Sequence, residues 1–445
     1  MMLRVGLALA LVSVLGGSPP VMAAPGRGPG DHPKLDNKLN QRDREVKGGT
    51  SRVIIQLNPG WDTSADVVKL GGRLGKRLGL MNGMAVELPN KELRKLADHP
   101  GVARIIWDRP LDSTMNRVAV TVGARAVEWG LGLTGAGIGV AVIDSGVSTW
   151  HDDLTYKGSS SLVKVKNGQR VAAFVDFVGG RTQSYDDYGH GTHVAGIIAG
   201  NGYDSYGARA GIAPDAHLVA LKVLDGDGRG VISNVIAALE WAVTNRAAYN
   251  IRVINLSVGA GITESYKTDP LALAAKRAVD AGIVVVAAAG NLGKNALGQP
   301  QYGGITAPGN APWVLTVGAS STQGTITRKD DVYATYSSRG PSAVDYMAKP
   351  DLLAPGTGVV SLSDPTSLLY MTRTSSLLGG ILPLASKPYL SLSGTSMAAP
   401  VVAGTVALMF QANPSLTPNL VKALLQYTAQ PYPGYDALTQ GTGFL

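Results

Sequence analysis

Four short apolar runs recur from about residue 120 onward, and they constrain the fold more than any other feature of the chain. They are 139–143, 217–222, 252–256 and 283–287. Each is too short for a helix and lacks the polar alternation of a strand with one wet face. A run that is apolar on both faces must be covered on both. Between them, 233–244 and 270–281 carry apolar residues at helical spacing. The alternation predicts an α/β fold: a doubly wound, mainly parallel sheet with helices on both faces. In such sheets the reactive groups collect at the carboxyl ends of the strands.

Polar residues stand at those ends. Asp144 follows the first run, in Val142-Ile143-Asp144-Ser145-Gly146. Taken alone it reads equally as a turn aspartate. Two histidines stand in Gly189-His190-Gly191-Thr192-His193-Val194-Ala195-Gly196. The flanking glycines leave the first imidazole accessible, whereas His193 falls one turn into a helix. A metal pair is disfavoured, because no nearby Glu completes a zinc-protease helix motif. Ser396 lies in Ser393-Gly394-Thr395-Ser396-Met397-Ala398-Ala399-Pro400, ahead of a small, apolar helical stretch. A lone serine there is ordinarily an N-cap. Asn291 follows Ala287-Ala288-Ala289-Gly290 and reads alone as a turn residue. Together the four groups converge on one predicted sheet edge. A hydroxyl, an imidazole, a carboxylate and an amide donor are the parts that acyl transfer needs.

The N-terminal quarter is of a different kind. Residues 1–24 read as a secretory signal peptide, with Arg4 ahead of an apolar run and small residues near Ala23 and Ala24. That run is too short to span a bilayer, and no later stretch reads as long and apolar enough. Residues 25–50 read as a linker. Residues 51–112 read as a small α+β unit with strands at 52–57, 83–88 and 102–107, a short helix at 65–70, and a helix at 91–98 capped by Asn90. Some 60 residues is marginal for independent stability.

The segments from 120 to 445 resemble the subtilisin family of serine proteases, in the order Asp, His, Ser. The resemblance implies a serine endopeptidase with Ser396 as nucleophile, His190 rather than His193 as general base, Asp144 as its orienting acid and Asn291 as an oxyanion donor. It implies that Gly228 and Gly230, with Ser257-Val258-Gly259, pair with an extended peptide. Ala288, Ala289 and Gly290 would wall the primary specificity pocket, with Leu292 and Thr306 at its rim and base. No acidic group is evident there, so apolar or neutral side chains are expected over Lys or Arg. Residues 51–112 resemble the family's inhibitory propeptide, removed by cleavage between about Pro110 and Arg117, ahead of a peptidase domain at 113–445. The chemistry needs no cofactor. Asp153 matches one calcium ligand of the family, which leaves structural calcium open. Residues 364–390 are longer than the family's usual connection, as a surface hairpin or as a flap over the leaving-group side of the cleft.

Three other readings fare worse. An inactive binding protein of the same fold would lack a catalytic group, and none is missing. A nucleotide-binding sheet would want a Gly-rich turn where Asp144 stands. The net charge of +8 suggests nucleic acid, but 17 Lys and Arg against 11 Asp and Glu lie in residues 1–112, and 23 against 21 in the rest. The basic excess belongs to the N-terminal region. The chain has no cysteine, so a thiolate nucleophile and a disulfide scaffold are excluded. The expected partners are therefore protein or peptide substrates and the chain's own propeptide, outside the cell or in the periplasm, with no nucleic acid and no membrane span.

Overall fold

The computed structural model describes residues 30–45, 48–108, 115–155, 168–381 and 385–445. The signal-peptide reading and most of the expected cleavage segment lie outside them. The chain divides into two compact units, Met1–Leu111 and Asp112–Leu445.

The first unit contains α1 (Asn37–Glu45), β1 (Thr50–Leu57), α2 (Ser64–Lys69), β2 (Arg73–Leu78), β3 (Gly83–Pro89), α3 (Leu93–Ala97) and β4 (Val102–Trp107). Its four strands form one antiparallel sheet in the order β2-β3-β1-β4. Two sequence expectations need correction here. The described part of 25–50 is not a bare linker: α1 lies in it, and Leu35 and Leu39 are buried in this unit's core. Asn90 caps no helix. It opens a short 3₁₀ turn, and its amide bonds the Gly48 carbonyl and Ser51 instead. The strand that sequence reading missed, β2, is Arg-Leu-Gly-Lys-Arg-Leu and almost wholly exposed, so it carries no alternation to detect.

The second unit opens with α4 (Met115–Thr121) and α5 (Ala124–Leu131). Its sheet comprises β5 (Gly139–Asp144), β6 (Val171–Asp176), β7 (His217–Lys222), β8 (Ile251–Leu256), β9 (Val284–Ala288), β10 (Leu315–Ser321), β11 (Val332–Tyr333) and β12 (Leu352–Pro355). The order is β11-β10-β9-β8-β5-β7-β6, with β12 on β10, and every pair is parallel except β10 with β11. The helices are α6 (His190–Ala199), α7 (Ile232–Thr244), α8 (Pro270–Asp280), a one-turn α9 (Leu368–Thr372), α10 (Thr395–Ala412), α11 (Pro418–Thr428) and a short α12 (Ala437–Gln440). A three-stranded patch of β13 (Val359–Leu362), β14 (Leu377–Leu378) and β15 (Tyr389–Leu392) lies beside them.

The predicted two-sided burial is visible residue by residue. Val140 and Val142 of β5 join one core with Val194 and Ile198 of α6 and Val402 and Val406 of α10. Ala141 and Ile143 join the other, with Val235 and Leu239 of α7 and Leu271 and Ala275 of α8. From β5 the chain runs to β6 and β7 on one side, then to β8, β9 and β10 on the other. Asp144 thus ends the strand at which the winding reverses. One expectation about membranes changes in form: α10 is long and apolar enough to cross a bilayer by composition. However, 72% of it is buried inside the fold, as befits a core helix.

Candidate active site

Asp144 is fully buried at the end of β5. Its Oδ1 accepts the N–H of Ser145 at 2.8 Å and lies 2.7 Å from Nδ1 of His190. His190 is the first residue of α6, and two glycines let it come so close. Gly146 adopts φ +115°, and a Cβ at Gly191 would run into the Gly146 carbonyl. Buried Asp186 locks the turn. It accepts bonds from the N–H groups of Gly189 and Thr192 and from the hydroxyls of Ser145 and Thr192. Burial raises the Asp186 carboxyl above its usual range, against the pull of those four bonds. Burial opposes charge on His190 too. The charge and hydrogen bond of Asp144, helped by Asp186, outweigh it and hold the imidazole above its ordinary pKa.

His193 has a different chemistry. It is fully buried, its Nε2 lies 2.9 Å from the Leu390 carbonyl, and burial pushes its pKa down to about 3. It is a neutral, structural imidazole. The choice between the two histidines, which sequence motifs alone left to resemblance, thus has a geometric basis.

Ser396 sits in the first turn of α10. Its hydroxyl donates to the Ser257 carbonyl at 3.1 Å, and Ser257 Oγ returns a bond to the Ser396 carbonyl at 2.9 Å. Among the described residues the Ser396 hydroxyl makes no hydrogen bond to His190. Catalytic contacts of this kind often tighten only when substrate arrives. Asn291 accepts the N–H and hydroxyl of Thr395 on Oδ1, so its Nδ2 is the free donor end. A Cβ placed on Gly394 would lie 3.5 Å from Asn291 Nδ2 and 3.7 Å from the Ser396 nitrogen. The two N–H donors therefore flank one small space, kept open because residue 394 has no side chain.

A cavity of about 290 Å³ opens beside His190. Gly228, Gly230, Ser257, Val258 and Gly259 all line it, together with Tyr188. The backbone polar groups of Gly230 and Gly259 make no hydrogen bond among the described residues, so both segments offer open edges to an added strand. Ala288, Ala289 and Gly290 do not line this cavity. Ala289 is buried, its N–H on Val317 and its carbonyl on Thr306. Thr306 stands between the two segments, since a Cβ on either Gly259 or Gly290 would strike it. Leu292 is exposed. Sequence reading missed Asp186, Thr395 and Tyr188. Only the first had a signal, an acid just ahead of Gly-His-Gly.

Asp153 belongs to a buried cluster with His151 and Asp204. The oxygens of Asp153 there are already taken by protein donors. Asp153 Oδ1 accepts the Asp204 N–H and Oδ2 the Tyr389 hydroxyl, both at 2.9 Å. The Asp153 carbonyl accepts Asn201 and the Arg170 guanidinium. His151 accepts the Asp153 N–H on Nδ1 and bonds the Pro388 carbonyl through Nε2. Calcium wants several free oxygens. Here the oxygens of Asp153 are engaged by N–H and O–H donors, and Arg170 supplies positive charge.

Residues 135–444 match the model of the subtilase family, Peptidase S8. The chain is 34% identical over 430 residues to serine protease AprX of Bacillus subtilis (strain 168), covering 93% of this chain and 89% of that one. It is 34% identical over 363 residues to subtilisin E of the same organism, covering 81% and 78%. The crystal structure of a cold adapted subtilisin-like serine proteinase superposes with a TM-score of 0.50 at 29% identity, over 70% of this chain and 89% of the other. With the parallel sheet and the Asp144–His190 pair at its carboxyl edge, these likenesses show that the chain belongs to the subtilase family of serine proteases.

Proposed function

We propose that this protease is a secreted endopeptidase, made as a self-inhibited precursor, that cleaves peptide bonds through an acyl-enzyme on Ser396. The observation that carries the reading is the 2.7 Å Asp144–His190 pair, whose imidazole lines the same cavity as Ser257, which holds the Ser396 hydroxyl.

The substrate lies extended between Gly228–Gly230 and Ser257–Gly259, adding a strand to each. Ser396 Oγ turns from the Ser257 carbonyl to His190 Nε2 and attacks the scissile carbonyl as its proton passes to the imidazole. Asp144 fixes the proton on Nδ1 and stabilises the resulting positive charge. The tetrahedral oxyanion takes hydrogen bonds from Asn291 Nδ2 and the Ser396 N–H. His190 then gives its proton to the leaving amine. Water repeats the sequence on the ester and frees Ser396. The pocket beside Thr306 admits apolar or neutral side chains.

Residues 51–112 are the inhibitory propeptide in this reading, supported by the separate core and four-stranded antiparallel sheet of the N-terminal unit. The test compares the secreted wild type with Ser396→Ala by N-terminal sequencing and by hydrolysis of a neutral peptide anilide. The wild type is expected to begin near residues 110–117 and to hydrolyse the anilide. Ser396→Ala is expected to keep its N-terminal unit and hydrolyse nothing. Anilide hydrolysis by purified Ser396→Ala would overturn the reading.

A further inference from the structure

We infer that Lys222 is a positioning residue for the proposed triad, a single buried ammonium that fixes the loops of Asp144 and His190 relative to each other. The inference rests on the triad reading above. Lys222 ends β7, and its Cα partner across the β5–β7 pairing is Asp144. The whole residue is buried. Its Nζ donates to the Ser145 carbonyl at 2.6 Å, to Asp187 Oδ1 at 2.6 Å and to the Leu224 carbonyl at 2.7 Å. The Tyr185 ring lies 4.7 Å away. An ammonium has three donors, and all three are used.

Each acceptor belongs to a different working part of the site. Ser145 follows Asp144, donates its N–H to that carboxylate, and accepts the N–H of Gly191 on its hydroxyl. Asp187 stands three residues before His190, and its carbonyl accepts the N–H of Leu368 in α9. Leu224 leads into the Gly228–Gly230 segment and lines the cavity. A stability role alone is a poor explanation. Taking an ammonium out of water is expensive, and a buried ion pair replaced by apolar side chains is often no less stable. What an apolar side chain cannot do is bind two carbonyls and a carboxylate at fixed distances. A displacement of about 1 Å between reacting groups can cost on the order of 100-fold in rate, so such fixing bears directly on turnover.

The test uses the full chain carrying Lys222→Met or Asp187→Ala, allowed to mature, with Ser396→Ala as the unprocessed control. Kinetics on a neutral peptide anilide are normalised to active sites counted with a fluorophosphonate. Lys222→Met is expected to lower kcat by about 10–100-fold with KM within about threefold. Asp187→Ala removes one of the three acceptors at a half-exposed side chain. It is expected to lower kcat several-fold, again with little change in KM, and it carries the test alone if Lys222→Met does not fold. Should kcat stay within twofold, or the loss fall on KM, while Ser396→Ala is inert, the role of Lys222 is overturned and the triad stands. Activity that survives Ser396→Ala overturns both.

Discussion

The N–H and the hydroxyl of Thr395 both donate to Oδ1 of Asn291, at 2.9 and 3.1 Å. An amide could present either end to the cleft. This pair of bonds decides that it presents its N–H₂. Asn291→Ala is therefore expected to lower kcat by about 10²–10³-fold with KM little changed, the range found for such a donor in a subtilisin. Asn291→Asp keeps the acceptor for Thr395 but has no donor, and should be as impaired. Steady-state kinetics on an anilide check both. An Asn291→Asp enzyme with wild-type kcat would contradict the assignment.

Gly394 bears on the same space. Its backbone is extended, at φ 165°, and a Cβ there meets nothing closer than 3.5 Å. Gly394→Ala should therefore fold with a melting temperature within about 2 °C of wild type, since no clash or backbone strain arises. It should still lose at least about tenfold in kcat, because its methyl stands beside both proposed oxyanion donors. Thermal unfolding beside kinetics separates the two effects.

The two histidines should respond to pH in opposite directions. In the proposed mechanism His190 works as a base only when neutral. Its pKa is raised, so the acid limb of kcat/KM should lie above pH 6.5. In stability terms its charged pair with Asp144 is fully present below the unfolded pKa and is lost as pH rises through the folded value. His193, held neutral with a pKa of about 3, does the reverse. The unfolded chain takes up a proton near pH 6.5 that the folded chain refuses. Stability is thus lost as pH falls from there, by up to about 1.4 kcal/mol per pH unit. His193→Gln should lessen that acid slope and leave kcat within a few-fold. His190→Ala should abolish turnover. Urea unfolding across pH 4–8, with kinetics, checks the set.

Asp153 provides a test of the calcium question. Both its carboxylate oxygens serve protein donors. Asp153→Ala is expected to destabilise the fold by several kcal/mol, since it strands the buried Tyr389 hydroxyl and Asp204 N–H. The loss should be the same with calcium as with chelator. A destabilisation that appears only when calcium is present would mean that Asp153 binds the ion.

Much of this was legible in the sequence, for identifiable reasons. Strands such as 217–222 are buried on both faces and read as unbroken apolar runs. The site residues stand at the ends of such runs, flanked by glycines that mark close approaches. What stayed hidden depends on contacts distant in sequence. Nothing around Lys222 announces that it reaches Ser145 and Asp187. Nothing near Thr395 indicates which end of Asn291 it holds. The helix at 37–45 was missed because it is polar throughout except for one buried leucine, Leu39, which sets no period. The sequence around Asp153 likewise hides its partners, the Tyr389 hydroxyl and the Asp204 N–H.

In the proposed mechanism Ser396 is the nucleophile, made reactive by His190 and Asp144. The direct measurement is to treat the matured protein with a fluorophosphonate and locate the adduct by peptide mass spectrometry. One stoichiometric adduct on Ser396 is predicted, formed at least about 10³-fold more slowly in His190→Ala. An adduct on another residue, or labelling of Ser396 unaffected by loss of His190, would contradict the account.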